Sequence, residues 1–146
     1  MMLKFIVILG VLGFNYTSNA QVREVLFTSY PADSAMMVTC NFLDSILIYS
    51  WHNSAIFIET EVVMSGCPES LLKHAIAKGR YRIDADRVDQ NLTLKQSELS
   101  RAPINYPKGT CEEKILHRIY LPTDFKTKDQ HEWHRTDEVS KSTINY

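Results

Sequence analysis

The sequence predicts an all-β domain built as a two-sheet sandwich with one short helical insertion, and three observations lead to that prediction. Short runs of β-branched, aromatic and aliphatic residues recur along the chain and are separated by polar turns. Only one stretch has helical periodicity. The length of 146 residues, with 5 glycines and 5 prolines, suits a single domain and argues against a low-complexity or collagen-like chain.

Residues 1–20 have the three parts of a secretory signal peptide. Lys4 supplies the positive start, an apolar run follows over 5–14, and the small residues Ser18 and Ala20 precede the expected cleavage point. The apolar run is shorter than the roughly 20 residues that a membrane-spanning helix needs. We therefore expect cleavage after Ala20, a secreted extracellular chain and no membrane span.

Seven runs of the remaining chain suit strands because apolar and polar residues alternate or because β-branched and aromatic residues dominate. These runs cover 25–28, 35–42, 46–51, 56–63, 80–85, 91–95 and 115–121. Seven or more short strands with little helix are typical of a sandwich or a barrel.

The segment 67–79 breaks the strand pattern and predicts a helix of two to three turns. Pro68 suits the first helical position, and Gly79 suits the end of the helix. Four apolar residues of this segment share one helical face: Leu71, Leu72, Ala75 and Ile76.

The last segment, 122–146, is polar and has no periodic apolar stripe, with four basic and five acidic residues. It predicts a flexible tail, so the sandwich should occupy 21–121. His131 and His134 lie among acidic residues in this tail, but zinc needs three or four ligands held in fixed geometry. We therefore predict no metal site and no cofactor.

Charge and motifs exclude several classes of function. The chain has 16 basic and 17 acidic residues, and this near-neutral balance gives no field that would attract nucleic acid. No Gly-x-Ser-x-Gly nucleophile elbow, Cys-x-x-Cys motif or glycine-rich phosphate loop occurs. We predict that the protein is not an enzyme and does not bind nucleic acid.

One cysteine–tryptophan–cysteine spacing and two short motifs stand out along the chain. Cys40 lies in a strand-like run, Trp51 follows eleven residues later, and Cys111 lies 71 residues after Cys40. Between the cysteines lie GRYRI at 79–83 and LTL at 92–94, with Leu99 five residues further on. Together these features resemble the variable-type (V-set) domains of the immunoglobulin superfamily, and the two motifs resemble their D and E strands. The resemblance covers roughly residues 22–121.

The resemblance implies a V-set-like sandwich in which a Cys40–Cys111 disulfide joins the two sheets and Trp51 packs against it as the core pin. Cys67 has no counterpart in the pattern, and three states are open to it. It could form an intermolecular disulfide, to a second copy or to a partner protein, it could be a buried free thiol, or it could pair with Cys40 or Cys111.

A secreted module of this kind is expected to bind an extracellular or cell-surface protein, in adhesion, receptor binding or a decoy role. His52 should point outward beside Trp51, and Phe57, or Ile56 with Ile58, should face solvent on the next strand. These four residues form the predicted partner face, unless the helix covers it.

Two other functions are open from the sequence, a carrier of a small apolar ligand inside the sandwich or barrel and a small secreted enzyme. Asn91 begins an Asn-Leu-Thr sequon and is the predicted glycosylation site.

Overall fold

The computed structural model describes residues 21–129 and 131–136. In this part of the chain there are two larger β-sheets, one two-stranded hairpin and one helix. The strands are β1 (Gln21–Pro31), β2 (Met37–Asn41), β3 (Ser45–Trp51), β4 (Ala55–Ser65), β5 (Ile83–Val88), β6 (Asn91–Gln96), β7 (Asn105–Tyr106), β8 (Gly109–Thr110), β9 (Glu112–Pro122), β10 (Phe125–Thr127) and β11 (Glu132–Arg135), and the helix is α1 (Glu69–Ala77). The predicted signal peptide lies outside the described residues. Within them, no helix is long and apolar enough to cross a membrane.

One sheet has four strands in the order β1-β4-β9-β3, the second has five in the order β10-β11-β2-β6-β5, and β7 and β8 form a small hairpin. The predicted all-β, two-sheet fold with one short helix is therefore confirmed. Each of the seven predicted strand runs overlaps a strand, but the runs predicted at 35–42 and 80–85 begin earlier than β2 and β5 do. The V-set arrangement is not confirmed. Two pairs of neighbours, β2 with β6 and β3 with β9, run parallel, whereas the sheets of immunoglobulin sandwiches are antiparallel.

Two apolar cores lie along the inner face of the four-stranded sheet. In the first core, Ile56, Ile58 and Ile119 of this sheet pack against Val38 and Leu94 of the five-stranded sheet. In the second core, helix α1 replaces the other sheet as the cover. The alternation of buried residues along β4 supplies both cores from one face of a single strand.

The helix forms where its periodicity predicts it. Leu72 and Ala75 are buried against Val62 and Met64 of β4, so the apolar stripe faces the second core. Gly79 follows the helix with a φ of 77°, a left-handed conformation that glycine adopts without a steric penalty.

The predicted Cys40–Cys111 disulfide is wrong, because Cys111 is bonded to Cys67. Since β4 and β9 are neighbours with Ser65 opposite Glu112, Cys67 just after β4 and Cys111 just before β9 meet at adjacent strand ends. A Cys67-linked homodimer is excluded by the same bond, and of the three states left open for Cys67 the third is the correct one. Cys40 is a free thiol in the first core. Burial raises its pKa to about 12, which keeps it protonated and unreactive.

The predicted flexible tail and the domain boundary at 121 are wrong for residues 122–129 and 131–136. This segment contains β10 and β11, and β11 pairs with β2 in the five-stranded sheet. Its few apolar residues are spaced too irregularly to form a periodic stripe, yet Phe125 and Trp133 are buried in the first core.

Among the described residues there is no cluster of metal-ligating side chains, and residues 137–146 lie outside the described part of the chain.

Candidate binding face

The outer face of the four-stranded sheet carries a group of mutually contacting rings. Strand alternation points Phe57 of β4 away from the core, because Ile56 and Ile58 on either side of it are fully buried. The register places Tyr120 of β9 opposite Phe57 and places Tyr49 of β3 opposite Tyr120. Side chains from separate parts of the sequence therefore meet on one surface.

Five rings form what we call the aromatic face: Phe27, Tyr49, Trp51, Phe57 and Tyr120. Phe57 is at its centre, with ring-centroid distances of 5.7 Å to Phe27, 5.6 Å to Trp51 and 5.8 Å to Tyr120. Tyr49 lies 5.2 Å from Tyr120. All these distances are in the range of favourable aromatic pairs.

Much of this apolar surface remains in contact with solvent. Phe27 is 63% exposed and Tyr49 is 42% exposed. Trp51 is partly covered by its ring neighbours, and its indole Nε1 donates a hydrogen bond to the Ala55 carbonyl at 2.8 Å. With its polar atom satisfied internally, the indole offers only apolar surface to a partner.

The prediction that Trp51 is a core pin is therefore wrong. Parallel pairing of β3 with β9 turns Ile46 and Ile48 toward the first core. Residues an odd number of positions away then point outward, and Trp51 is one of these.

The predicted partner face is partly correct. Phe57 lies on the outer surface, but Ile56 and Ile58 are core residues, so their assignment to a binding surface is wrong. His52 is exposed just after β3 and lines a polar groove that is also bordered by Asp33. The helix does not cover Phe57, because α1 packs on the opposite face of β4.

Three residues of the aromatic face were missed from the sequence, namely Phe27, Tyr49 and Tyr120. Each belongs to a predicted strand, and alternation within each strand gives one outward row. The order of the strands in the sheet determines which outward rows of side chains become neighbours, and the local sequence does not determine that order.

An ion-pair ladder borders the aromatic face on the same outer surface. Glu61 forms ion pairs with Arg23 and with Arg118, each with an N–O distance of 2.9 Å. Arg118 forms a second ion pair with Glu59 at 2.6 Å. The hydrogen bond from Arg118, assisted by Arg23, lowers the pKa of Glu61. Two arginines and two glutamates neutralise one another, so the surface beside the rings has no net charge to attract a strongly charged ligand.

The orientation of the rings limits the kind of ligand they suit. Phe27 and Phe57 are stacked with an interplanar angle of 17°, and Tyr49 and Tyr120 are stacked at 23°. Stacking therefore occupies one face of each of these four rings. A sugar ring that stacks on an aromatic side chain needs a free face, whereas side chains of another protein pack well between ring edges.

A second polar arrangement lies inside the sandwich around His117, whose exposure is 0%. Its Nδ1 lies 2.9 Å from Thr60 Oγ1, and its Nε2 lies 3.1 Å from Gln96 Nε2 and 3.5 Å from Asp44 Oδ2. The order hydroxyl, imidazole and carboxylate is that of a hydrolase triad. Thr60 is buried as well, so no substrate reaches the hydroxyl and we interpret the network as structural.

Asp44 connects this network to the surface. Both of its carboxylate oxygens accept hydrogen bonds of 2.6 Å from Arg101. Burial alone would raise the pKa of Asp44, but hydrogen bonds with His117, Arg101 and Gln96 outweigh it and lower that pKa to about 2.

We expect Asp44→Asn to reduce stability mainly at neutral pH. The pKa of Asp44 is lower in the folded state than its ordinary value near 3.8, so its charge stabilises the fold above pH 4 and this contribution disappears as the pH falls toward 2. The variant should lose up to about 2 kcal/mol of unfolding free energy at pH 7 and little at pH 2. Urea denaturation across this range measures the difference.

The control for that experiment is Asp86→Asn, because Asp86 forms an exposed ion pair with Lys95. We expect this change to cost less than about 0.5 kcal/mol at any pH. An Asp44→Asn variant that differs from the wild type equally at both pH values would contradict the assignment.

Comparison with known proteins identifies no significant relative of this chain. No protein-family model matches the chain, and no significant match was found among curated proteins or among solved structures.

Proposed function

We propose that this chain is a secreted recognition module that binds an extracellular or cell-surface protein through the aromatic face. The observation on which this rests is the five-ring cluster centred on Phe57, uncovered by any other element within residues 21–129 and 131–136. Contiguous exposed apolar surface is typical of interaction sites, and aromatic residues dominate the binding energy of protein interfaces. The neutral ion-pair ladder around the rings provides a polar rim.

Two further features agree with an extracellular location. The Cys67–Cys111 disulfide is of the kind that persists in oxidising compartments. Asn91 is exposed at the start of β6, in the five-stranded sheet, so a glycan there would leave the aromatic face of the other sheet free. Secretion, signal-peptide cleavage and glycosylation of Asn91 are parts of the proposal.

An origin in the immunoglobulin superfamily is also part of the proposal. It is supported by the register of the motifs at 79–83 and 92–94, and β5 and β6 pair antiparallel as the D and E strands of that family would. The parallel pairs β2–β6 and β3–β9 differ from the V-set arrangement. The proposed binding face depends on the geometry of the rings and not on this ancestry.

A photo-crosslinking experiment tests the location of the binding surface. The mature chain would carry a benzophenone side chain in place of Tyr49, and a matched chain would carry it in place of Val88, which is 68% exposed on the other sheet. Both would be irradiated in extracellular fluid of the source. We expect an adduct with a protein other than a second copy of this chain from position 49 only, and its loss when Phe57→Ser is added.

Equal adducts with such a protein from both positions, or an adduct with it that survives Phe57→Ser, would contradict the proposed face.

A second candidate function, the carrier of a small apolar ligand, is favoured by one observation. A groove of about 660 Å³ between the two sheet edges is lined partly by Ile46, Ile48 and Trp133. Native mass spectrometry distinguishes the two functions, because a carrier keeps a bound small molecule whereas the recognition module, as a single chain or a dimer, shows no mass beyond that of its polypeptide.

A further inference from the structure

The four edge strands of the two sheets differ in how they are protected from pairing with another chain. β1 carries Arg23, Glu24 and a terminal Pro31, β5 carries three charged residues, and β10 has only three residues, one of them lysine. Charges, proline and short length are the usual devices that prevent edge-to-edge association. β3 has none of them, since its seven residues SILIYSW include no charge and no proline.

Within the described part of the chain, β3 pairs only with β9, so the outer edge of β3 keeps its backbone donors and acceptors unpaired by another strand. We propose that this edge pairs antiparallel with β3 of a second copy of the chain. The two four-stranded sheets would then form one continuous sheet of eight strands across a two-fold axis.

The residues of β3 are compatible with antiparallel pairing to β3 of a second copy. In a two-fold antiparallel pair, a charged residue near the axis meets its own like charge, and an uncharged strand avoids this repulsion. A register centred on Ile48 pairs all seven residues and sets Leu47 opposite Tyr49 of the second copy. Leu47 is 44% exposed and Tyr49 is 42% exposed, so this apolar pair removes surface that is solvated in the single chain.

Pairing at this edge has a consequence for the outer surface of the sheet. The aromatic faces of both copies would lie on the same side of the eight-stranded sheet, so a partner with two matching sites could engage both at once. The dimer goes beyond the proposed function and does not depend on it, because it concerns the strand edge and needs no partner protein.

Sedimentation velocity on the purified mature chain tests the dimer. We expect twice the chain mass at micromolar concentration and at least a tenfold weaker dimer for Leu47→Lys, which places a charge near the axis. Val88→Lys adds the same charge at an exposed position of β5 and should leave the dimer unchanged. Thermal unfolding followed by circular dichroism would verify that each variant folds.

A charge pair then tests the register. Tyr49→Glu alone should weaken the dimer, whereas Leu47→Lys combined with Tyr49→Glu should restore it, because the register places the new ammonium opposite the new carboxylate of the second copy. A wild-type chain that is monomeric at tens of micromolar would overturn the proposal. So would a Leu47→Lys variant that remains dimeric, or a double variant no tighter than either single one.

Discussion

Replacing both Cys67 and Cys111 with serine is expected to lower the free energy of unfolding by about 4 kcal/mol. The bond closes a loop with a sequence separation of 44 residues, and such a cross-link restricts the unfolded chain far more than the folded one. It also joins the end of β4 to the start of β9 beside the helix, where both cysteines are buried in the second core. Urea denaturation of the variant and the wild type measures the loss.

A reducing agent provides the control for this prediction. It should destabilise the wild type by a similar amount and leave the double-serine variant unchanged, because Cys40 forms no disulfide. Peptide mapping without reduction should recover Cys67 joined to Cys111. A peptide in which Cys40 is joined to either of the other cysteines would show that the pairing described here is incorrect.

The second large effect is expected at the centre of the aromatic face. Phe57→Ala should weaken binding of the crosslinked partner at least about 30-fold, since central aromatic residues at interfaces contribute about 2 kcal/mol or more. Phe57 contacts three of the other four rings, so its loss removes its own surface and also the support of its neighbours. Surface plasmon resonance with immobilised partner measures the change.

Val63→Ala is the matched control, because Val63 lies on the same strand and the same outer face but away from the rings, opposite Arg23 and Lys114. It should change affinity by less than a factor of three. Because Phe57 points away from the core, both variants should retain their fold. Equal losses of affinity in the two variants would place the binding surface elsewhere.

Local patterns were sufficient to predict the helix and seven of the eleven strands in the described part of the chain. The strand runs and the helix at 69–77 depend on alternation, on helical periodicity and on residues such as Gly79, all of which act within a few positions. The outward position of Phe57 was one of two options that alternation allowed. Burial of Ile56 and Ile58 decides between them.

Non-local pairing was what the sequence could not supply. The side on which Trp51 lies depends on the parallel pairing of β3 with β9, and the partner of Cys111 depends on β4 lying beside β9. The resemblance to V-set domains implied Cys40 as the partner of Cys111, but Cys40 is instead a core residue. β11 was missed because a single tryptophan, Trp133, anchors an otherwise polar strand to the first core.

The fluorescence of Trp51 gives the most direct test of the aromatic face as a binding surface. The chain has two tryptophans, and Trp133 is buried in the first core, so a Trp133→Phe variant leaves Trp51 as the only indole. Addition of the partner should shift the Trp51 emission to shorter wavelength and protect it from acrylamide quenching, because binding removes water from its exposed edge. Saturating binding with no change in Trp51 emission or quenching would contradict the account.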